Sequence, residues 1–371
     1  MANDVSASGQ YSMELKLRTF PAPPKPKRSV NRSGRNIADG VETPEDLALV
    51  DQWRAAHGYV INTFQIFFKR RIEKAGSGIE FAQRLKRRNT VLDKLRRKRP
   101  DGTRLMADVT SMHDFAGCRL IFDDISSLRK FREYIHSAAS MANVHHKLRH
   151  DMEKYDYIES PKPSGYRGIH DVFQHFPRPH RRAGTNAEPW LGLLVEVQYR
   201  TRVQHAWATA LEISDLIDNQ RTKFDLAANE RVIFFAMASE ILARYHEGIS
   251  RAFLNKNLHE LCRDFAKLER KLNILHRLEA LKQADEFNKI RKHNVLNIAW
   301  DNGFETKLEV KAFRTSTEAV NYATQLESDP SSFNAVYVRA DNPAQVRSAY
   351  RNYFNDPVDF VRLVRSAMRN S

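Results

Sequence analysis

Three short stretches carry residues able to do chemistry together. Arg84 to Arg99, RLKRRNTVLDKLRRKR, sets nine Lys/Arg against the single Asp93. Read as the end of a strand over 79–85 followed by a helix over 90–98, it alternates Arg84 with Lys86 and puts Lys94, Arg97 and Lys98 on one side of the helix. Two cationic walls of that kind can grip a triphosphate, arginine through its bidentate fork and lysine as a point charge. The plainer reading of such a run is a solvated helix face. Next, His113-Asp-Phe-Ala-Gly-Cys-Arg-Leu-Ile-Phe122 leads an acid, a glycine and an arginine into a buried strand. Asp114 at that strand's mouth is placed either to cap the turn or to hold Mg²⁺, which takes one or two carboxylates and completes its shell with phosphate and water. Its partner carboxylate is Glu196, in Leu194-Val-Glu-Val-Gln-Tyr-Arg-Thr201. Flanked by valines on a core strand, Glu196 faces the side opposite them, and a buried unpaired carboxylate costs several kcal/mol. A cation or a basic residue must therefore sit beside it.

The third stretch is Asp156-Tyr-Ile-Glu-Ser-Pro-Lys-Pro-Ser-Gly-Tyr-Arg-Gly-Ile-His170. Pro161, Pro163 and Gly165 force a rigid loop on which Lys162 and Arg167 supply charge. Tyr166 offers a ring for base stacking, an interaction of about 1–3 kcal/mol. The alternative is a buried strand tyrosine; the loop setting favours exposure.

Elements must position these residues, and 371 residues allow two or more domains with a sizeable core. Hydrophobic residues at 42% and charged at 28% lie within globular norms, so disorder of the whole chain is excluded. Sixty Lys+Arg against 45 Asp+Glu give +15, a charge that attracts polyanions. Cys118 and Cys262 form no CxxC pair, which argues against a disulfide framework or a cysteine zinc site and fits a reducing compartment. No apolar run approaches a membrane span and residues 1–17 do not read as a secretory signal, so the expected location is cytoplasmic.

Residues 21–40, with four prolines and five basic residues, read as part of a disordered basic arm over 1–42. Thr43, Pro44 and Glu45–Asp46 give an N-cap, a first-turn proline and first-turn acids for one helix reaching about Ala75. From 79 to 217 the pattern alternates α and β: strands at 79–85, 118–122, 154–158, 169–176 and 191–199, helices at 90–98, 128–142 and 203–217. A basic, proline-bounded loop fills 177–189. The fold class expected is α/β with a mixed sheet, followed by a helical extension over 225–301 and a small α+β domain over 302–371. In the extension Leu254, Leu258, Leu261, Phe265, Leu268, Leu272 and Leu275 form a heptad seam, for an intramolecular hairpin or a dimerising coiled coil. After Asn302 come strands at 307–313 and 333–339 and helices at 317–326, 343–350 and 358–368. That segment carries nine basic and eight acidic residues, so the positive excess lies before it.

Taken in order, RLK…NTVLDKL, HDFAGCRLI, DYIESPKPSGYRGIH and VEVQYRTRVQHAWA resemble the ATP-gripping segment, metal-aspartate strand, guanine loop and catalytic glutamate strand of the RelA/SpoT family alarmone synthetase domain. The likeness covers 79–217. It implies transfer of the β,γ-pyrophosphate of ATP to a ribose 3′-hydroxyl on a nucleotidyltransferase-like fold. Carried over by position, Arg84, Lys86, Lys94 and Arg119 would hold ATP phosphates, with Arg97 and Lys98 nearby. Asp114 and Glu196 would hold Mg²⁺, Glu196 also standing near the attacking hydroxyl as a base. Tyr166 would stack the acceptor base, and Lys162, Arg167, His170, Gln198, Arg200 and His205 would complete the acceptor side, with Trp207 on the last helix. Departures fall on that side: Ile213 and Leu216–Ile217 replace polar groups, and Ser164 and Gly168 stand where Asn and Ser are commoner.

The resemblance implies a stand-alone synthetase making (p)ppGpp from ATP and GDP or GTP. A toxin-like relative that modifies the 3′ end of tRNA is the alternative, supported by the basic arm and the weakened acceptor motif; non-enzymatic RNA binding is the third. The 78 residues ahead of the motifs are too few for the family's hydrolase domain. The His-Asp pairs at 113, 150 and 170 read as isolated, His145-His146 as a solvated loop, and residues 302–371 as an inhibitory or partner-sensing module.

Overall fold

Thr43 starts the long helix as its sequence predicts. Its side chain accepts from the Asp46 amide while the Asp46 carboxylate accepts from the Thr43 amide, and Pro44 fills the first turn. The computed structural model describes residues 20–371 except 77, 100, 107, 142–143, 145, 177–187, 218–229, 280–292, 302–304, 328–331 and 340–354. They fall into two units, residues 1–155 with 169–199, and 156–168 with 200–371.

In the first unit α1 (Lys27–Asp39) precedes α2 (Pro44–Ala75). The disordered arm expected over 1–42 is thus corrected from Lys27 onward. The prolines end at Pro26, and the rest buries Val30, Ser33, Gly34, Ile37 and Ala38 on one face. Its small residues permit a close approach: a Cβ on Gly34 would fall 1.9 Å from Val109 Cγ2. Asp46 clamps the two helices by accepting from Asn36 Nδ2 at 2.9 Å, and the amide and hydroxyl bonds around it hold its pKa at about 2.

Strands β1 (Glu80–Leu85), β2 (Ala116–Phe122), β3 (Lys147–Leu148), β4 (Ile169–Gln174) and β5 (Leu194–Thr201) make a five-stranded sheet in the order β1-β2-β5-β4-β3. With α3 (Arg88–Arg96) and α4 (Ile125–His136) this is the expected α/β domain. Residues 154–158 form no strand: the Asp156 carboxylate accepts from the amides of Ile158 and Glu159, folding the segment into a turn. The core under α2 is aromatic, Phe64 and Phe68 lying against Phe173 and Phe81. His146, expected on a solvated loop, is buried in it with its ring stacked 4.4 Å from Phe64; His145 lies outside the described residues, as do residues 177–187 of the basic loop.

In the second unit α5 (Arg202–Ile217), α6 (Glu230–His246), α7 (Leu258–Leu272), α8 (Ile274–Glu279) and α10 (Asn355–Arg369) share one apolar cluster. Phe234 stacks on Phe265 at 4.6 Å and Phe235 on Phe360 at 6.1 Å. The heptad seam is buried within the chain at Leu261, Phe265 and Leu275, while Leu254 is 74% exposed. The three buried positions pack against α5, α6 and α10 of the same chain. Strand β6 (His293–Asp301) begins where the helical extension was expected to run on, and it pairs with β7 (Glu305–Phe313) and β8 (Ser332–Arg339) beside α9 (Ser316–Glu327). The expected helix over 343–350 lies outside the described residues. Helix α10, expected in the small module, instead buries Phe360, Val361 and Val364 in the helical cluster. Among the described residues no helix is long and apolar enough to cross a membrane.

Two histidines of the first unit are stored neutral. His57 lies buried against Phe115, and His175 among Tyr59, Phe64 and His146; burial lowers each pKa from 6.5 to about 4. A depressed folded-state pKa gives stability that is present above pH 6.5 and lost as pH falls toward 4, on the order of 3 kcal/mol per histidine. Urea unfolding should be flat above pH 7 and weaken steeply between pH 6.5 and 4.5, with His175→Phe flattening the slope; equal stability at pH 7 and pH 5 would refute this.

Candidate active site

Lys86 directly follows β1 and is fixed by its amide, which donates to Phe115 O at 2.9 Å. Lys94 lies in α3, whose buried Val91, Leu92 and Leu95 turn the opposite face inward. Both amines converge on Asp114, just ahead of β2: Lys86 Nζ lies 2.6 Å from Oδ2 and Lys94 Nζ 2.9 Å from Oδ1. One carboxylate thus carries a lysine on each oxygen. Burial raises the Asp114 pKa, but the two lysine charges outweigh it and hold the group below its ordinary value, with Glu196 pushing back. Burial likewise lowers Lys86, against the attraction of Asp114 and with Lys94 and Arg84 adding repulsion.

Arg84 and Arg119 share a face of the β1–β2 pair. Arg119 stands opposite Ala82 and Arg84 opposite Gly117, and residues two apart on a strand point the same way. The expected companions Arg97 and Lys98 do not share a helix face with Lys94. Helix α3 ends at Arg96, Arg97 is extended, and Lys98 forms a β-bridge with Arg104. The run of basic residues outlasts the apolar stripe that holds the helix down, and so outlasts the helix.

Glu196 on β5 has the basic partner that its burial requires. His170 Nδ1 lies 3.3 Å from Oε1, and Gln198 Nε2 donates to Oε2 at 2.6 Å. The register explains this: His170 pairs with Gln198 and Val172 with Glu196, so His170, Gln198 and Glu196 share one face of the β4–β5 pair. Burial raises the Glu196 pKa, but the His170 charge and hydrogen bond, the Gln198 amide and the Lys94 charge hold it far below the usual range. Lys94 therefore acts on both carboxylates, and Asp114 also feels the charge of Glu196. Two ionised oxygen donors are the ligand type that a hard divalent ion takes. His170 and Gln198, expected on the acceptor, here serve Glu196.

The second unit holds the remaining residues. Tyr166, expected exposed, is 8% exposed. Its ring meets Tyr157 edge-on at 5.7 Å and Trp207 at 6.3 Å, and its hydroxyl accepts from Arg200 Nε and Nη2 at 3.2 and 3.1 Å. Lys162 Nζ lies over Tyr157 at 4.3 Å and over Tyr166 at 5.1 Å. Arg167 is no surface cation: it is buried and paired with Glu240 on α6. His205 and Trp207 are buried on α5, where Trp207 Nε1 donates to Phe235 O at 2.8 Å. Ile213 lies in the apolar cluster, which accounts for its departure from a polar type. Sequence reasoning missed Tyr157, Ser239 and Glu240; the signal for the last was one acid inside the apolar run Phe234-Phe-Ala-Met-Ala-Ser-Glu-Ile-Leu-Ala243.

Residues 83–214 match the family described as "Region found in RelA / SpoT proteins". No curated protein sequence matches the chain. Among solved structures, small alarmone synthetase 1 from Bacillus subtilis bound to its product pppGpp is similar at 18% identity and TM-score 0.37, over 61% of this chain and 97% of that one. Small alarmone synthetase 2 from Bacillus subtilis is similar at 19% identity and TM-score 0.35, over 63% and 97%. A GTP pyrophosphokinase family protein from Streptococcus pneumoniae is similar at 22% identity and TM-score 0.33, over 50% and 82%.

If the two lysines depress Asp114, removing one must release it. In metal-free Lys86→Met protein the Asp114 carboxyl, followed by carbon NMR, should titrate at higher pH than in the unmodified chain. An unchanged titration would show that Lys86 does not set its charge.

Proposed function

We propose that the RelA/SpoT synthetase domain carried by residues 83–214 is an ATP-dependent pyrophosphokinase that moves the β,γ-pyrophosphate of ATP to the ribose 3′-oxygen of GDP or GTP. The observation that carries this reading is the cluster of Lys86 and Lys94 on Asp114 with Glu196 in the same field. Such a cluster has little covalent chemistry to offer; it positions and neutralises phosphate, which is most of what phosphoryl-type transfer requires. Lys86, Lys94, Arg84 and Arg119 hold the triphosphate. Asp114 and Glu196 would hold Mg²⁺, which when bound neutralises charge on the phosphate oxygens.

The acceptor 3′-oxygen forms a bond to the β-phosphorus as the bond from that phosphorus to the α,β-bridging oxygen breaks, and AMP leaves. Glu196 accepts the hydrogen bond of the 3′-hydroxyl and takes its proton. Its proton affinity is held low by His170, Gln198 and Lys94, so proton transfer follows bond formation rather than preceding it. On the acceptor side Lys162 covers the Tyr166 ring by a cation–π contact worth about 0.5–1 kcal/mol at an exposed site. A purine stacked on the same ring gains about 1–3 kcal/mol. The base therefore displaces the lysine, which turns to the nucleotide's phosphates.

The test is purified protein with γ-labelled ATP and, in parallel, GDP, GTP or deacylated tRNA. Label on guanine nucleotide is expected; label on tRNA alone would move the acceptor assignment to RNA, and no label would end the enzymatic reading. Asp114→Asn and Glu196→Gln should each lower turnover by about 10²-fold or more with the melting temperature preserved, since each keeps shape and removes a charge. Retained turnover in either removes that residue from the mechanism. Tyr166→Ala should raise the acceptor KM about tenfold and leave the ATP KM within about twofold; equal rises would take Tyr166 off the acceptor.

A further inference from the structure

Glu240 is fully buried in the middle of α6 and accepts from every side. Its carboxylate takes Arg167 Nη2, Arg244 Nε at 2.8 Å, Ser250 Oγ at 2.9 Å, and the amides of Arg251 and Ala252 at 3.2 Å. A carboxylate removed from water is tolerated only with this degree of compensation, and stripping one partner from such a site leaves an uncompensated buried charge. Arg167 is 3% exposed, and its Nη2 is taken by Glu240.

The neighbouring contacts carry this anchor to the loop. Arg167 Nε donates to Ser239 Oγ at 3.1 Å, and Ser239 Oγ donates to Gly165 O at 2.6 Å. Gly165 has φ +90°, and a Cβ there would lie 2.7 Å from Ala236 Cα, so the loop backbone rests on the helix backbone. Tyr166 stands between the two anchored residues. Its ring orientation is then set from below by Gly165 and Arg167 and at its hydroxyl by Arg200. By contrast, the outer tie of the loop, Arg251 Nη2 to Glu159 at 2.7 Å, is exposed and screened by solvent.

We infer that Glu240 is a positioning residue for the acceptor: through Arg167, Ser239 and Gly165 it fixes the angle of the Tyr166 ring on which the acceptor base stacks. This rests on the function proposed above. Glu240 touches no substrate, yet loss of its charge tilts the ring, and misplacement of a substrate by about 1 Å can cost 10²-fold.

The experiment uses the full chain with Glu240→Gln, Ser239→Ala and, as the exposed control, Arg251→Ala. Steady-state kinetics with ATP and the acceptor that the unmodified chain accepts are joined by hydrogen exchange of residues 156–168. Glu240→Gln should raise the acceptor KM about 10-fold or more with the ATP KM within about twofold, and should speed exchange in the loop; Arg251→Ala should change neither. If Glu240→Gln does not fold, Ser239→Ala, a smaller lesion in the same chain of contacts, should show the same KM split. An unchanged acceptor KM in a folded variant, or acceptor and ATP KM rising together, overturns the proposal. Should the unmodified chain transfer nothing, the function reading fails by itself, and exchange still decides: faster loop exchange upholds the anchor and unchanged exchange removes it.

Discussion

Everything about this site depends on the cost of keeping a carboxylate charged away from water. Asp114 just ahead of β2 and Glu196 on β5 are both poorly solvated, and Glu196 raises the proton affinity of Asp114. The protein meets that cost with cations on fixed backbone: Lys86 anchored beside Phe115, Lys94 on the packed α3, His170 across the ladder from Gln198. The consequence is a pair of carboxylates that remain ionised at neutral pH beside amines of matching charge. A polyphosphate with its divalent ion needs that set of groups, and water in the same place would not hold them in register.

The loop bearing Tyr166 obeys the same rule with a different result. At Glu240 the carboxylate is compensated from within the fold, by two arginines, a serine hydroxyl and two backbone amides. At Asp114 compensation comes from lysines on a partly open surface, which can turn to an incoming phosphate. The two clusters of opposite charges thus differ in burial: Glu240 is wholly buried, while the lysines on Asp114 are partly exposed. Composition alone would class Arg167 with Lys94.

Tertiary packing also decides what the carboxy-terminal third contributes. Strands β6, β7 and β8 with α9 form a small sheet module of their own, whereas α10 completes the cluster of α5, α6 and α8 through Phe360 and Val364. The chain's last helix is therefore part of the scaffold that holds α6, and α6 holds the loop bearing Tyr166.

What the sequence determined by itself is local. The capped start at Thr43, the end of its helix near Ala75 and the period-two strands around Glu196 follow from backbone sterics and hydrophobic period, which neighbours in the chain decide. The pairing requirement on Glu196 was legible too, because an acid between valines on a core strand is costly wherever the strand lies. Tertiary structure alone decided which group meets that requirement. His170 reaches Glu196 through strand register, Lys94 reaches Asp114 because α3 packs where it does, and Arg167 finds Glu240 across 73 positions of sequence. The order of types along the chain records which charges must be compensated; only folding brings together residues far apart in sequence, and distance sets whether a charge is compensated by the protein or left for a substrate.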